Sequence, residues 1–369
     1  MWRRIRGLIV KEFLALWRDP KSRFVVIGPP LFQLLVFGYA ATYDVTHVPT
    51  AIYDEDRGPA ARDLVAGFEG SPTFDIVGRL ERDRDIAAAI DARRAGLVVH
   101  IGQDFSADLA AGRTAHVQVI VDGRESNTAL VVLGYAATVV ADFNGEWLRE
   151  RGLSQPPAEL VVRSWFNPNL VSRWFIVPGI VALLTLVVSM VLTALTVARE
   201  RELGTFDQLL VTPLRPFEIL VGKTAPALVI GMLEASLIVT VAIFWFQVPF
   251  RGELPLLYAG LFLFLLSTTG VGLMISSLAA TQQQAILGTF LFVVPAVILS
   301  GFATPVANMP LLVQHLTLVN PMRYFLVIVR GSFLEAMPVA LVVQELWPMA
   351  LIAAVTLVAA ALLFRRRLQ

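Results

Sequence analysis

Apolar runs of similar length recur along this chain, and one of the polar intervals between them is far longer than the rest. The runs lie at Phe24–Tyr43, Trp174–Val197, Ala225–Gln247, Pro255–Leu278, Ala285–Thr304 and Val343–Phe364. A bilayer core about 30 Å thick needs roughly 20 apolar residues in a helix rising about 1.5 Å per residue. Each run meets that length. The pattern predicts six membrane-spanning helices, one before the long polar interval and five after it. The first run begins too polar and lacks a small-residue cleavage site, so it reads as a retained span and not a signal peptide.

The long interval, 44–172, has a pattern of its own. β-like runs at Thr50–Tyr53, Phe74–Val77, Gly96–Ile101 and Ala115–Asp122 alternate with helix-like runs at Pro59–Phe68, Arg82–Ala92 and Asp104–Ala110. Such alternation predicts a mixed sheet covered by helices. Ser126–Arg149 reads as one long helix. Gln155-Pro156-Pro157 then breaks the chain before a short strand at Leu160–Arg163. Asp54, Glu55, Asp56 and Arg57 read as a polar turn, since a metal would need more converging ligands. His47, His100, His116 and His315 are scattered, with no metal-ligand spacing. No catalytic, cofactor-binding or metal site is expected in the chain.

Ahead of the first span, Ile5, Leu8, Ile9, Phe13, Leu16 and Trp17 fall at helical spacing on one face. Arg3, Arg4, Arg6, Lys11 and Arg18 share the remainder. Residues 1–23 therefore predict an amphipathic helix in the membrane interface, its basic groups near anionic lipid. It is either a topology anchor or a link from the first span to a cytoplasmic partner.

Charge sharpens this outline. The 369 residues carry 30 basic and 29 acidic side chains, 59 in all. Nine fall in 1–43, 31 in 44–172 and 19 in the remaining 197 residues. A single soluble globule would spread them evenly, and a hydrophobic content of 56% excludes disorder. A net charge of +1 removes any bulk electrostatic case for binding nucleic acid. The absence of cysteine excludes disulfides, Cys-ligated zinc and thiol chemistry. With six spans, the basic N-terminal tail, Arg199, Arg201, Arg215 and Lys223 of the loop 198–223, and Arg365–Arg367 fall on one side. The positive-inside rule makes that side the cytoplasm. The expected fold is an α-helical polytopic membrane protein with six transmembrane helices and both termini cytoplasmic. An extracytoplasmic (periplasmic) α/β domain, 44–172, is inserted between helices 1 (24–43) and 2. A five-helix domain, 173–369, follows. The expected location is a bacterial inner membrane.

In the loop 198–223, Glu200, Arg201 and Glu202 extend the second span out of the bilayer. Gly204 supplies a left-handed helix end. Thr205 caps a short new helix, Phe206–Val211, which Pro213 stops. Phe206, Leu209 and Leu210 give that helix an apolar side at the cytoplasmic surface. A plain connection between two spans needs no such helix; a docking element does. Gly222-Lys223-Thr224 is a decoy for a phosphate loop. That motif needs glycine where this chain has Phe217, and Pro216 removes an amide nearby. No ATPase is expected in the chain.

These residues resemble the membrane subunits (permeases) of ABC type-2 transporters, in particular exporters of the bacterial multidrug-resistance type. The resemblance covers essentially the whole chain. It rests on Lys11-Glu12-Phe13 to Arg18-Asp19-Pro20, on the large insertion after the first span, and on Arg201-Glu202-Leu203-Gly204-Thr205 with Leu209-Leu210-Val211-Thr212-Pro213-Leu214. Leu299-Ser300-Gly301-Phe302 with Pro305, Met309-Pro310, Asn320-Pro321, Tyr324-Phe325 and Arg330-Gly331 complete it. The resemblance implies that Glu200–Leu214 is the coupling element for a separately encoded ATP-binding-cassette ATPase, with ATP and Mg bound in that partner. It also implies a dimer with a second copy or a paralogous permease.

For the translocation path the candidates are Glu234, Gln33 and Pro295. A charged group at a helix centre costs about 2.5–3.5 kcal/mol on insertion scales, and Glu234 is the one ionisable residue deep in a span. It faces a water-filled path, pairs with a subunit, binds a cation, or makes a structural hydrogen bond. Gln33 invites the same readings. Pro295, like Pro29-Pro30, allows a bend. The segment 305–342 reads as short helices at the outer face, either a gate with Arg323 and Arg330 or simple packing over the bundle. Two other functions compete with export: an ion-coupled secondary transporter using Glu234, and a receptor or scaffold. A membrane hydrolase lacks its motifs here. A periplasmic adaptor protein is a further expected partner of residues 54–160.

Overall fold

The computed structural model describes residues 2–18, 20–40, 45–124, 126–152, 166–167, 171–205 and 216–367. The chain forms two compact units, Met1–Ala41 with Ser164–Gln369, and Thr42–Arg163. The first unit opens with α1 (Trp2–Arg18) and α2 (Pro20–Ala40).

The second unit runs β1 (Val48–Asp54), α3 (Pro59–Glu69), β2 (Phe74–Leu80), α4 (Arg84–Asp91), β3 (Leu97–Ile101), α5 (Phe105–Ala110), β4 (Val117–Val121) and α6 (Ser126–Glu150). The strand order is β2-β1-β3-β4. β1 is parallel to β2 and β3, and β4 is antiparallel to β3. Both faces of the central strands are covered. Ile52, Leu97 and Val99 pack with Leu64, Phe68, Val132 and Phe143 on one side. Tyr53 and Val98 pack with Ile86 and Ala89 on the other. Burial on two faces explains why β1 and β3 read as near-continuous apolar runs. The acidic stretch after β1 is a turn built by its own carboxylates. Asp54 Oδ1 accepts the amides of Asp56 (3.0 Å) and Arg57 (2.9 Å). Asp56 accepts the Gly58 amide (3.0 Å) and the Ser106 hydroxyl. The break at Gln155-Pro156-Pro157 and the strand Leu160–Arg163 lie outside the described residues.

The first unit continues with α7 (Ser172–Glu202), α8 (Pro216–Phe244), α9 (Leu254–Leu278), α10 (Gln282–Ile298), α11 (Leu311–Leu316), α12 (Pro321–Arg330) and α13 (Val339–Arg367). α7 is the central helix, with Val177, Ile180, Leu186 and Met190 fully buried. It meets α9 through hydroxyls, Ser189 to Thr268 at 3.0 Å. Short polar side chains let two apolar helices approach closely and hydrogen-bond without water.

Among the described residues five helices are long and apolar enough to cross a membrane: Thr128–Glu150, Ser172–Glu202, Phe217–Phe244, Leu254–Leu278 and Val339–Phe364. A sixth is obtained if Leu311–Val319 and Pro321–Glu335, bent by 85°, are one broken span. Two features differ from the hydropathy pattern. α6 has the length and composition of a span, yet its Val132, Ala136 and Phe143 are buried against the sheet of its own unit. The run Ala285–Thr304 yields a helix of only 17 residues, because the chain turns at Gly301 (φ +88°).

Candidate coupling and translocation sites

α1, α7, α8 and α13 converge at one end of the bundle, where Leu8, Val197, Ile219 and Phe364 form a small apolar cluster. Among the described side chains, α1 buries Ile5, Leu8 and Glu12. Their spacing is that of one helix face, and the face contains a carboxylate. Leu8 lies directly over Gly222 of α8, where any side chain would collide with it. With a Cβ at position 222, α1 would be held further out.

Four charges meet beside this contact. Lys223 Nζ donates to Glu200 Oε2 at 2.7 Å and lies 3.4 Å from Glu12 Oε1. Lys11 Nζ donates to Glu200 Oε1 at 2.8 Å and is 3.7 Å from Glu12. Lys223 is 1% exposed, while the Glu200 and Glu12 side chains are 11% and 10% exposed. Two ammonium groups facing two carboxylates offset the cost of taking Lys223, Glu200 and Glu12 out of water, because each keeps an opposite charge and a hydrogen bond. Partial burial works against the charge on Lys11. Its bonds to Glu200 and Glu12 outweigh that and hold its ammonium above the usual range.

The residues after Glu200 are anchored in turn. Arg201 Nη1 donates to the carbonyl of Ala279, just past the end of α9, at 2.9 Å. Glu202 Oε2 accepts the amide of Gln282, the first residue of α10, at 2.9 Å. A carboxylate at a helix N-terminus and a guanidinium at a C-terminus both satisfy orphan backbone groups and suit the helix dipole. Gly204 then adopts φ +67°, and Thr205 N donates back to Glu200 O at 2.9 Å. Three consecutive residues, Glu200, Arg201 and Glu202, thus tie the end of α7 to α1 and α8, to α9, and to α10. Phe206, Leu209, Leu210 and Pro213 lie outside the described residues.

The residues proposed for a path do not share one environment. Glu234 is buried on the inner face of α8, Gln33 is half-buried on α2, and Pro295 is exposed on α10. Arg323 and Arg330 are held within the bundle. Arg323 donates to Thr317 Oγ1 and to Gln314 O at 3.5 Å. Arg330 stacks 3.7 Å over the Phe175 ring and donates to Gly301 O at 3.4 Å. The helix that carries them, α12, packs into the core. Met322, Phe325, Ile328 and Val329 are fully buried, and Phe325 stacks on Phe264 of α9 at 4.5 Å. Asn320 caps α12 through the Met322 amide (3.1 Å) and donates to Ala296 O (2.7 Å), a free carbonyl at the end of α10.

Several apolar helices around a buried core, with a folded α/β insertion in the sequence between the second and seventh helices, define a multi-pass membrane protein. The family model described as ABC-2 family transporter protein matches residues 21–362. The chain is 42% identical over 368 residues to the probable multidrug ABC transporter permease YbhR of Escherichia coli (strain K12), spanning the full length of both. It is 38% identical over 353 residues to the probable multidrug ABC transporter permease YbhS of the same strain, covering 94% of this chain and 93% of that one. The inner membrane transport permease YhhJ, also of that strain, is 30% identical over 344 residues, 90% of each chain. The chain belongs to the ABC-2 transporter family, and is a membrane permease subunit of an ABC transporter.

Proposed function

We propose that this permease exports a drug-like or lipid-like compound, driven by a separate ATP-binding-cassette ATPase that docks on the loop 198–223. In this reading both termini and that loop are cytoplasmic, and 44–172 lies on the other side of the membrane. ATP and Mg belong to the partner. Two permeases, identical or paralogous, enclose the path.

The observation that carries the reading is the threefold anchoring of Glu200, Arg201 and Glu202. A force on the segment after Gly204 enters the bundle through four elements at once. The multidrug wording attached to two relatives agrees with an apolar cargo. Reconstitution tests this. The permease should capture its ATPase and stimulate hydrolysis, and deleting residues 206–213 should abolish both. Undiminished capture after that deletion contradicts the docking assignment.

A further inference from the structure

The α/β unit carries a groove of its own, between α3 and α6, with a volume of about 720 Å³. One wall is a single stripe of α6, running from Tyr135 through Val139, Asp142 and Glu146 to Glu150 at the steps of one helix face. From Tyr135 to Glu150 that stripe is about 22 Å long. The floor is apolar. Phe143 is buried there, and Gly67 of α3 lies so close to Val139 that an added Cβ would come within 3.3 Å.

The charges of the groove have one sign. Asp63, Asp142, Glu146 and Glu150 line it, and no Lys, Arg or His does. Asp142, Glu146 and Glu150 recur at every fourth position, a spacing at which like charges weaken the helix that bears them. Among the described residues Asp63, Asp142 and Glu146 have no ion pair. The far end of the groove shows the chemistry it accepts. Arg151 rests 3.1 Å over the ring of Trp147 and 3.9 Å from Glu150. A cation on an aromatic face beside a carboxylate is a favourable arrangement, and the rest of the stripe leaves its carboxylates without one.

The same features turn away other occupants. Among the described residues no three acidic or histidine side chains are placed to hold a metal ion. A second copy in a two-fold contact would bring identical carboxylates to this face. Anionic lipid meets the same repulsion. We propose that the groove receives a basic amphipathic helix of a separate protein. Its Lys or Arg residues would lie over Asp142, Glu146 and Glu150, and its apolar side on Val139 and Phe143. Bases at every fourth position of such a helix have the same rise as the acids on α6, so the two rows match along their length. This partner is additional to the ATPase of the loop 198–223 and does not depend on the export reading.

The probe is a synthetic Leu/Ala/Lys helix with Lys at every fourth position. The receptor is the full chain in zwitterionic nanodiscs, with empty discs as the blank. Fluorescence anisotropy should show binding that Asp142→Asn with Glu146→Gln weakens by at least about tenfold. Thr138→Trp fills the groove without changing its charge and should weaken binding as well. Glu81→Gln with Asp91→Asn removes the same charge beside α4, on the other face of the sheet, and should change nothing. Undiminished binding in the first double variant, equal loss in the second, equal binding of a scrambled peptide, displacement by spermine at matched charge, or no binding by the unaltered chain overturns the proposal.

Discussion

Helix α8 buries Glu218, Lys223 and Glu234, and the last two are buried in opposite ways. Lys223, near its start, is enclosed between Glu12 and Glu200, each carboxylate also close to Lys11. Glu234, three turns on, has no partner for either oxygen. A buried charge with its counter-charges in place fixes an architecture: α1 cannot leave α8 without exposing or orphaning a member of the cluster. A buried charge without one cannot serve that purpose and only lowers stability until something supplies the missing partner. On the proposed function, the paired end is the part of the bundle that transmits force.

The largest effect expected is at the paired end. Lys223→Met leaves two carboxylates facing each other and should destabilise the bundle by about 3–5 kcal/mol, read as a lower melting temperature in nanodiscs. An unchanged melting temperature would mean that the cluster holds nothing together. Glu234→Leu should act in the opposite direction. Removing an unsatisfied buried carboxyl is expected to raise stability by about 1–3 kcal/mol, and a loss of that size would reveal a hidden structural partner. Gly222→Ala forces a methyl group into Leu8 and should cost about 1–3 kcal/mol, with α1 becoming more accessible to protease. Unaltered protease resistance would break the link between the glycine and the docking of α1. Lys11→Ala should matter least, below about 1 kcal/mol, because its side chain is 53% exposed and screened by solvent. A larger loss would make Lys11, and not Lys223, the main counter-ion of Glu200.

Much of this was legible in the sequence. The four strands and their helices are local patterns, and they lie within a few residues of their expected places. The coupling cluster was not legible as a cluster. Lys11 and Glu200 are 189 positions apart, and no local pattern pairs them. A signal did exist in Lys223, a cation in a largely apolar helix start that also carries Glu218, because such a cation demands a carboxylate nearby. Read as a topology marker and a false phosphate loop, it pointed nowhere. Glu12 was assigned to neither face of the amphipathic helix, although it sits one turn beyond Leu8 on the buried face. For the segment that holds α12, with Pro310, Pro321, Pro338 and two arginines, the sequence left open a gate or simple packing over the bundle. Arg323 and Arg330 donate to Thr317 and Gly301, and Phe325 and Ile328 enter the core.

The end of α7 is joined to α1 and α8 through Glu200, Lys11 and Lys223, and on the proposed function work done on the following loop reaches the bundle there. Transport per ATP hydrolysed, in proteoliposomes with the ATPase, tests it most directly on Glu200→Lys, Lys223→Glu and the two combined. The single changes should leave the ATPase bound and hydrolysing but sharply reduce transport per ATP, and the exchanged pair should recover a substantial part of it. Full coupling in either single variant, or no recovery in the exchanged pair, would contradict the account.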